Sequence, residues 1–161
     1  MNSFELLKKR LDDLAINVNY YEHMPIFTAE EGVKYTSHIP GVAAKNLFMR
    51  DKANQLWLIV MPHYLKLNIK KLATLLDTSE LQFAKPEQLM KFLGIMPGSV
   101  TPLALINDIN HEVQVILDKN FMDIDLIQIH PLRNDQTVTM TPQELVRFIE
   151  SCSNPYKILN T

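Results

Sequence analysis

The spacing of apolar and polar residues along the chain predicts an alternation of short helices and strands. Between residues 3 and 16, apolar side chains recur every three or four positions, as on one face of a surface helix: Phe4, Leu7, Leu11 and Leu14. The segment VNYYEH at 18–23 predicts a strand. KNLFMR at 45–50 and LWLIVM at 56–61, joined by the turn DKANQ, predict a β-hairpin.

Polar residues mark where further helices begin. TAEE at Thr28–Glu31 and TPQE at Thr141–Glu144 match the capping box, in which a side chain at each end satisfies a free backbone N–H of the other. The second box predicts a last helix to about Ser151, followed by a short tail. Asn68 can cap a helix through Leu76, and Pro86 can begin one that Gly94 ends.

Four apolar runs in the second half of the chain are short and rich in Val and Ile, which is typical of strands. They are LALIND at 103–108, EVQVILD at 112–118, LIQIHP at 126–131 and TVTM at 137–140. With the hairpin they predict an α+β fold, a mixed and mostly antiparallel sheet flanked by helices. No linker or repeat interrupts the 161 residues, so residues 1–161 are expected to form one domain.

Composition and charge exclude several classes of protein. The first residues, MNSFELLKKRLDDL, carry charges where a signal peptide has its apolar centre, and no segment offers the roughly 20 apolar residues of a membrane span. We therefore expect a cytoplasmic protein without a membrane partner. The net charge of −2 argues against a protein that coats nucleic acid, although a local basic patch can still hold one RNA end. The lone Cys152 is expected to be a reduced, inert residue on the last helix.

Several kinds of catalytic site have no support in the sequence. The five histidines, His23, His38, His63, His111 and His130, show no metal-ligand spacing, so no metal is expected. The four glycines are scattered and form no phosphate-binding loop, and no cofactor is expected. The nucleophile motif Gly-x-Ser-x-Gly is absent.

Three places nevertheless combine polar residues with buried strands. PGSVTPLALIND at 97–108 sets a stiff polar loop before an apolar run, with Ser99 most simply a turn residue. Lys45 lies in the apolar segment that leads into a strand. Either the alternation of the strand turns it to solvent, or it is partly buried and needs a partner, a ligand or a depressed pKa. His130 ends a strand, where it is either a functional side chain or a hydrogen-bonded structural one.

Three blocks of sequence, in this order, resemble the YbaK-like aminoacyl-tRNA editing family. They are KNLFMRDK at 45–52, FAKPEQLMKFLGIMPGSVTPLALIND at 83–108 and HPLRNDQTVTM at 130–140. Within that family the chain is most similar to free-standing proteins, associated with prolyl-tRNA synthetase, that deacylate alanyl-tRNA(Pro). The resemblance extends from YYEHMPIFTAEEG at 20–32 to the last helix.

The resemblance implies hydrolysis, in trans, of an aminoacyl ester on tRNA(Pro), without a metal or a cofactor. It implies that Lys45 is the essential lysine and that Gly98 to Pro102 form the family's Gly-x-x-x-Pro loop. It also places Asn46, His130, Phe27 and Thr28 around the amino-acid pocket. The partners it implies are the acceptor end of the tRNA and prolyl-tRNA synthetase. The neighbouring ribose hydroxyl of the substrate is proposed to help activate water in relatives.

These residues suit that chemistry. Amides of Ser99, Val100 and Thr101, held between Gly98 and Pro102, can stabilise a developing oxyanion. Lys45 would orient the terminal phosphate or ribose. A pocket too small for the prolyl group would reject it by clash, with His130 and Phe27 among its walls. Two alternatives remain open: editing of cysteine or serine instead of alanine, and a binding module that does not cleave the ester.

A basic patch for the RNA is predicted from five cations. Lys66 and Lys70 lie four residues apart, which would place them on one face of a helix, and Lys71 follows. Arg50 and Lys52 lie in the hairpin. The alternative is that these cations only solvate the surface.

Overall fold

The fold is built on an eight-stranded mixed sheet with helices on its faces. A computed structural model describes residues 1–161. The helices are α1 Ser3–Asp13, α2 Ala29–Thr36, α3 Ile69–Leu75, α4 Pro86–Gln88, α5 Lys119–Met122 and α6 Pro142–Ser151, with a π-helical turn at Leu89–Leu93 and a 3₁₀ helix at Pro102–Asn107. The strands are β1 Asn19–Glu22, β2 Val42–Arg50, β3 Leu56–Pro62, β4 Gln82–Phe83, β5 Val113–Asp118, β6 Ile127–Ile129, β7 Gln136–Met140 and β8 Tyr156–Leu159.

The strands follow the order β1-β7-β6-β2-β3-β5-β8, and β4 pairs with β2 outside this path. Three neighbouring pairs are parallel, β2 with β6, β3 with β5 and β5 with β8, and the others are antiparallel. The predicted α+β class and the mixed sheet are therefore confirmed. No helix of the chain combines the length and the apolar character that crossing a membrane requires.

The core lies on both faces of the central strand β3, whose seven residues are all buried. Leu58 and Val60 belong to the larger apolar cluster, with Leu7 of α1 and Phe148 of α6. The residues that alternate with them, Trp57, Ile59 and Met61, belong to a smaller cluster on the other face, which also contains Leu72 of α3. A strand buried on both faces is continuously apolar, as LWLIVM is.

Most predicted elements are present. The helix at residues 3–16, the hairpin of β2 and β3, the caps Asn68, Thr28 and Thr141, and the helix ending at Ser151 are confirmed. Cys152 is buried at the end of α6, and burial raises the pKa of its thiol. At α2 the reciprocal bond of the capping box differs, because Glu31 Oε1 accepts from the N–H of Phe27 instead of that of Thr28.

Three expectations were wrong. LALIND is not a strand: Thr101 caps a 3₁₀ helix with Pro102 in its first turn, and the fixed φ of proline suits a helix start. The tail forms the edge strand β8 beside β5. Lys66 precedes the cap Asn68 and lies outside α3, so it does not share a helical face with Lys70.

Candidate functional site

The candidate site is a gap in the sheet beside β2. One edge of β2 pairs with β6 at Val42 and Ala43, and further along with β4 at Met49 and Arg50. Between these two partners the edge has no neighbouring strand. Asn46 lies in the middle of this gap, and its Nδ2 donates to the carbonyl of Val100 at 3.2 Å, which holds the Gly98 to Val100 loop beside it.

Two cavities meet at the gap. The larger, of about 610 Å³, extends towards α2, and the smaller, of about 350 Å³, extends towards β4. Both are lined by the same four residues at the gap: Ala44, Asn46, Gly98 and His130. Lys45, Phe27 and Thr28 line only the larger cavity, and Val100 lines only the smaller. The structure thus brings most of the predicted site residues together.

Lys45 is half-buried on β2, and its ammonium group donates to the main-chain carbonyl of Leu65. No carboxylate lies within 4.0 Å of it. An ammonium group has three N–H donors, and a single neutral carbonyl leaves its charge uncompensated. Of the two alternatives for Lys45, the structure shows the half-buried cation with a partner.

His130 lies just after β6, half-buried at the point where the two cavities meet. Burial lowers the pKa of its imidazole, the charge of His23 lowers it further, and a hydrogen bond to the Gln136 carbonyl raises it in part. That bond joins Nδ1 to the oxygen at 3.1 Å. Because a carbonyl only accepts, Nδ1 carries the proton, and in the neutral ring Nε2 keeps its lone pair.

Fewer residues of the loop from Gly98 to Pro102 face the cavities than the sequence predicted. Gly98 has a φ of +88°, which glycine adopts without strain. The N–H of Ser99 does not face a cavity, because it donates to the Met96 carbonyl at 3.1 Å. Thr101 is fully buried, and its Oγ1 accepts from the N–H of Leu103. Ser99, Thr101 and Pro102 line neither cavity.

Phe27 and Thr28 lie at the entrance to the larger cavity, where α2 begins. Phe27 is 74% exposed, so its ring is available to a ligand. Thr28 is the N-cap of α2, and its Oγ1 accepts from the N–H of Glu31 at 3.2 Å. The cap fixes the start of α2 at this wall of the cavity.

Sequence reasoning did not single out several other residues of the larger cavity, among them His63 and Gln128. Gln128 is only 7% exposed, and its Nε2 donates to the carbonyls of Ile39, Pro40 and Gly41 at 2.9, 3.2 and 3.0 Å. It fixes the turn between α2 and β2. A glutamine between two isoleucines in the run LIQIHP was the available signal. No group of three His, Cys, Asp or Glu side chains lies close enough to hold a metal ion.

The five predicted RNA-binding cations divide into two groups. Lys66, Lys70 and Lys71 are exposed, and Lys66 follows the residue whose carbonyl Lys45 contacts. Arg50 is the last residue of β2, about 17 Å along the strand from Lys45, and Lys52 follows in the hairpin turn. The second group is therefore separated from Lys45 by the length of the strand.

Comparison with known proteins gives this site its context. The aminoacyl-tRNA editing domain matches residues 23–148. The chain is 32% identical to the prolyl-tRNA editing protein ProX of Acetoanaerobium sticklandii, covering 99% of this chain and 98% of that protein. It is 34% identical to prolyl-tRNA synthetase associated domain-containing protein 1 of Danio rerio, over 96% of this chain and 87% of that protein.

A solved structure has the same fold. It is described as a candidate trans-editing enzyme for prolyl-tRNA synthetase, and it superposes with a TM-score of 0.74 at 17% identity, covering 99% of this chain and 96% of that one. The architecture of the sheet and helices is therefore the YbaK-like fold. The gap beside β2 lies within the matched residues 23–148. The chain belongs to the aminoacyl-tRNA editing domain family, a family of aminoacyl-tRNA deacylases.

Proposed function

We propose that this protein hydrolyses the ester of alanine misattached to tRNA(Pro), acting in trans on the acceptor end. The observation that carries the proposal is the convergence of Lys45, Asn46, Gly98 and His130 on one cavity at the gap in the sheet. The names of the relatives, which refer to prolyl-tRNA editing and to prolyl-tRNA synthetase, support the choice of tRNA.

The reaction is the hydrolysis of an activated ester. The oxygen of a water molecule adds to the ester carbonyl carbon, and the carbonyl oxygen becomes an oxyanion. The bond to the ribose oxygen then breaks, and that oxygen takes a proton from the attacking water. The amino acid leaves as a carboxylate, and the second proton of the attacking water passes to solvent. Backbone N–H groups fixed before the reaction stabilise the oxyanion.

The role proposed for Lys45 is to bind the nucleic acid. Its ammonium group has no carboxylate partner, so it can pair with the terminal phosphate of the tRNA without first breaking a salt bridge. The cation would hold the terminal ribose, and with it the ester, at the gap. Prolyl-tRNA synthetase, which would release the mischarged tRNA, is the proposed partner.

Selection of alanine would be made by size. The four residues shared by the two cavities line the gap, and a prolyl group is bulkier than an alanyl group. Exclusion by clash discriminates more strongly than the gain from one extra methylene, which is only about 1 to 3 kcal/mol. His130 and Phe27 line the region where such a clash would occur.

The test is deacylation of tRNA(Pro) charged separately with alanine, cysteine, serine and proline. Wild-type protein is compared with Lys45→Ala and with Lys157→Ala, which removes an exposed lysine on the distant strand β8. We expect rapid loss of alanine alone, abolished in Lys45→Ala and unchanged in Lys157→Ala. If serine or cysteine is removed in preference to alanine, the substrate is seryl- or cysteinyl-tRNA(Pro) instead. Binding of every tRNA without hydrolysis would make the protein a binding module.

A further inference from the structure

The hydrogen bonds of β2 show which way each of its main-chain groups points. The carbonyl of Ala43 accepts from the N–H of His63, which continues the ladder with β3. The next position, Ala44, lies opposite Pro62, which has no N–H to give. In an antiparallel ladder, hydrogen-bonded and non-bonded pairs alternate. The odd-numbered residues of β2 therefore bond to β3, and the even-numbered residues face the other edge.

Bonds at the two ends of the gap confirm this alternation. The N–H of Val42 donates to Leu126 at 2.9 Å, and the carbonyl of Phe48 accepts from the N–H of Ala84 at 2.9 Å. Asn46, which lies between them, points its N–H and its carbonyl into the gap. Neither group has a main-chain partner there, because β6 ends its pairing at Ala43 and β4 begins at Met49.

We propose that the aminoacyl group of the substrate pairs with Asn46 as a strand of one residue. Its ammonium group donates to the Asn46 carbonyl, and its ester carbonyl accepts from the Asn46 N–H. An open strand edge recognises extended backbone in this way, and an aminoacyl ester has its donor and acceptor on either side of one Cα, as one residue of a strand does. The inference rests on the proposed function and assigns the atoms that hold its substrate.

The side chain of Asn46 supports the same occupant. Its Nδ2 is committed to the Val100 carbonyl, which fixes the orientation of the amide, and its Oδ1 is buried without a partner. A buried acceptor left unpaired destabilises the protein, so a ligand that supplies a donor there is favoured. An ammonium group has three N–H donors, enough for both the carbonyl of Asn46 and a second acceptor beside it.

The pairing also places a donor at the reacting oxygen. When water adds to the ester, the negative charge develops on the oxygen that the Asn46 N–H already contacts. This N–H is held in place by the ladder between β2 and β3, so it needs no reorganisation during the reaction. The main-chain N–H of Asn46 is therefore the oxyanion donor, a role that the Ser99 N–H cannot take while it bonds to Met96.

Two substitutions at one position separate the N–H from the side chain. Asn46→Ala removes the amide side chain and keeps the N–H. Asn46→Pro removes both, and the ladder with β3 tolerates it because β3 does not use this N–H. We expect kcat for alanyl-tRNA(Pro) to fall about 100-fold further in Asn46→Pro than in Asn46→Ala, the usual effect of losing one oxyanion donor. Circular dichroism and thermal unfolding check that both variants fold.

If Asn46→Pro does not fold, the amide that bears this N–H is replaced by a backbone ester, which keeps the side chain, removes the donor and weakens the Lys45 carbonyl as an acceptor towards β3. The same loss of about 100-fold is expected. Equal activity of the variants with and without the N–H would overturn the pairing and leave the proposed function intact. A wild-type protein that hydrolyses no aminoacyl-tRNA would overturn both.

A change in the substrate tests the second contact of the pairing, between its ammonium group and the Asn46 carbonyl. Lactyl-tRNA(Pro) carries a hydroxyl in place of the ammonium group and is otherwise of the same shape as alanyl-tRNA(Pro). Each enzymatic rate is divided by the spontaneous hydrolysis rate of the same ester. We expect this ratio to be at least about 10-fold lower for lactyl-tRNA, because a charged donor contributes more than a neutral one. Equal ratios would overturn the contact between the ammonium group and the Asn46 carbonyl.

Discussion

The ammonium group of Lys45 donates to the main-chain carbonyl of Leu65, in the segment that leads from β3 to α3. The contact joins the half-buried cation at the gap to the exposed lysines that follow, because Lys66 is the next residue along the chain. Lys70 and Lys71 follow in the first turn of α3. A phosphate backbone that reaches Lys45 would therefore pass this group of three lysines before it reaches any other cation of the predicted patch.

We predict that changing Lys66, Lys70 and Lys71 together to alanine weakens binding of tRNA while kcat stays nearly constant. Each lost phosphate contact should reduce the slope of log affinity against log salt by about 0.7 to 0.9. Filter binding of tRNA(Pro) at several salt concentrations measures this. The matched control is Arg50→Ala with Lys52→Ala, at the far end of β2. A larger loss of affinity in this control would show that the RNA crosses the hairpin turn instead.

The local part of this fold could be predicted from the sequence, and the reason lies in short-range hydrogen bonds. Thr141, Pro142 and Glu144 determine the start of α6 among themselves, so the prediction needed no distant residue. Thr101 and Pro102 carry the same signal for the 3₁₀ helix. It was overlooked because the apolar run behind it has the composition of a strand.

The gap itself could not be predicted, because it depends on pairing between distant parts of the chain. Asn46 is an ordinary strand residue by local pattern. Its N–H and carbonyl are left free only because β6 stops pairing at Ala43 and β4 begins at Met49. The resemblance to a known family predicted residues that lie at the gap, among them Asn46, Gly98 and His130, but it gave no information about which main-chain groups are unpaired.

His130 makes stability depend on pH. Its pKa in the folded protein is lowered, chiefly by burial, while the unfolded chain has the usual value near 6.5. Below that value the unfolded state binds the proton more readily, so the free energy of unfolding falls as pH drops from about 6.5 to the folded pKa, and no further below it. Urea unfolding between pH 8 and pH 5 should show this loss in wild type. His130→Gln should lack it, and His38→Gln, at an exposed histidine, should retain it.

Gln128 is a positioning residue for the wall of the larger cavity. Replacing it with methionine keeps the length of the side chain and removes the donor to three carbonyls of the Ile39–Gly41 turn. We expect a loss of about 1 to 3 kcal/mol in the free energy of unfolding and a higher KM, since the turn is no longer held. Gln128→Glu should be worse, because a carboxylate oxygen would face the three carbonyl oxygens. Equal stability of Gln128→Met and wild type would contradict this role.

Asp51 closes the hairpin that presents the open edge of β2. It is 4% exposed, and its carboxylate accepts from Thr78 Oγ1 at 2.8 Å, from Trp57 Nε1 at 3.2 Å, and from the N–H groups of Ala53 and Gln55 at 2.9 and 3.0 Å. Burial by itself raises the pKa of this carboxyl, but the hydrogen bonds outweigh burial and lower it below its usual range. The charged form is therefore the one that the fold stabilises.

Asp51→Ala should lower the free energy of unfolding by about 3 kcal/mol, because the buried indole N–H of Trp57 would lose its only acceptor. The charge-dependent part of the wild-type contribution is present above the unfolded pKa near 3.9 and is lost as pH falls through the lower folded value, so the difference in stability between the two proteins should narrow in strong acid. Asp13→Ala is the control: its ion pair with Lys9 is exposed, and such pairs contribute about 0 to 1 kcal/mol. An Asp51→Ala variant that unfolds like the Asp13→Ala control would show that the hairpin does not depend on this carboxylate.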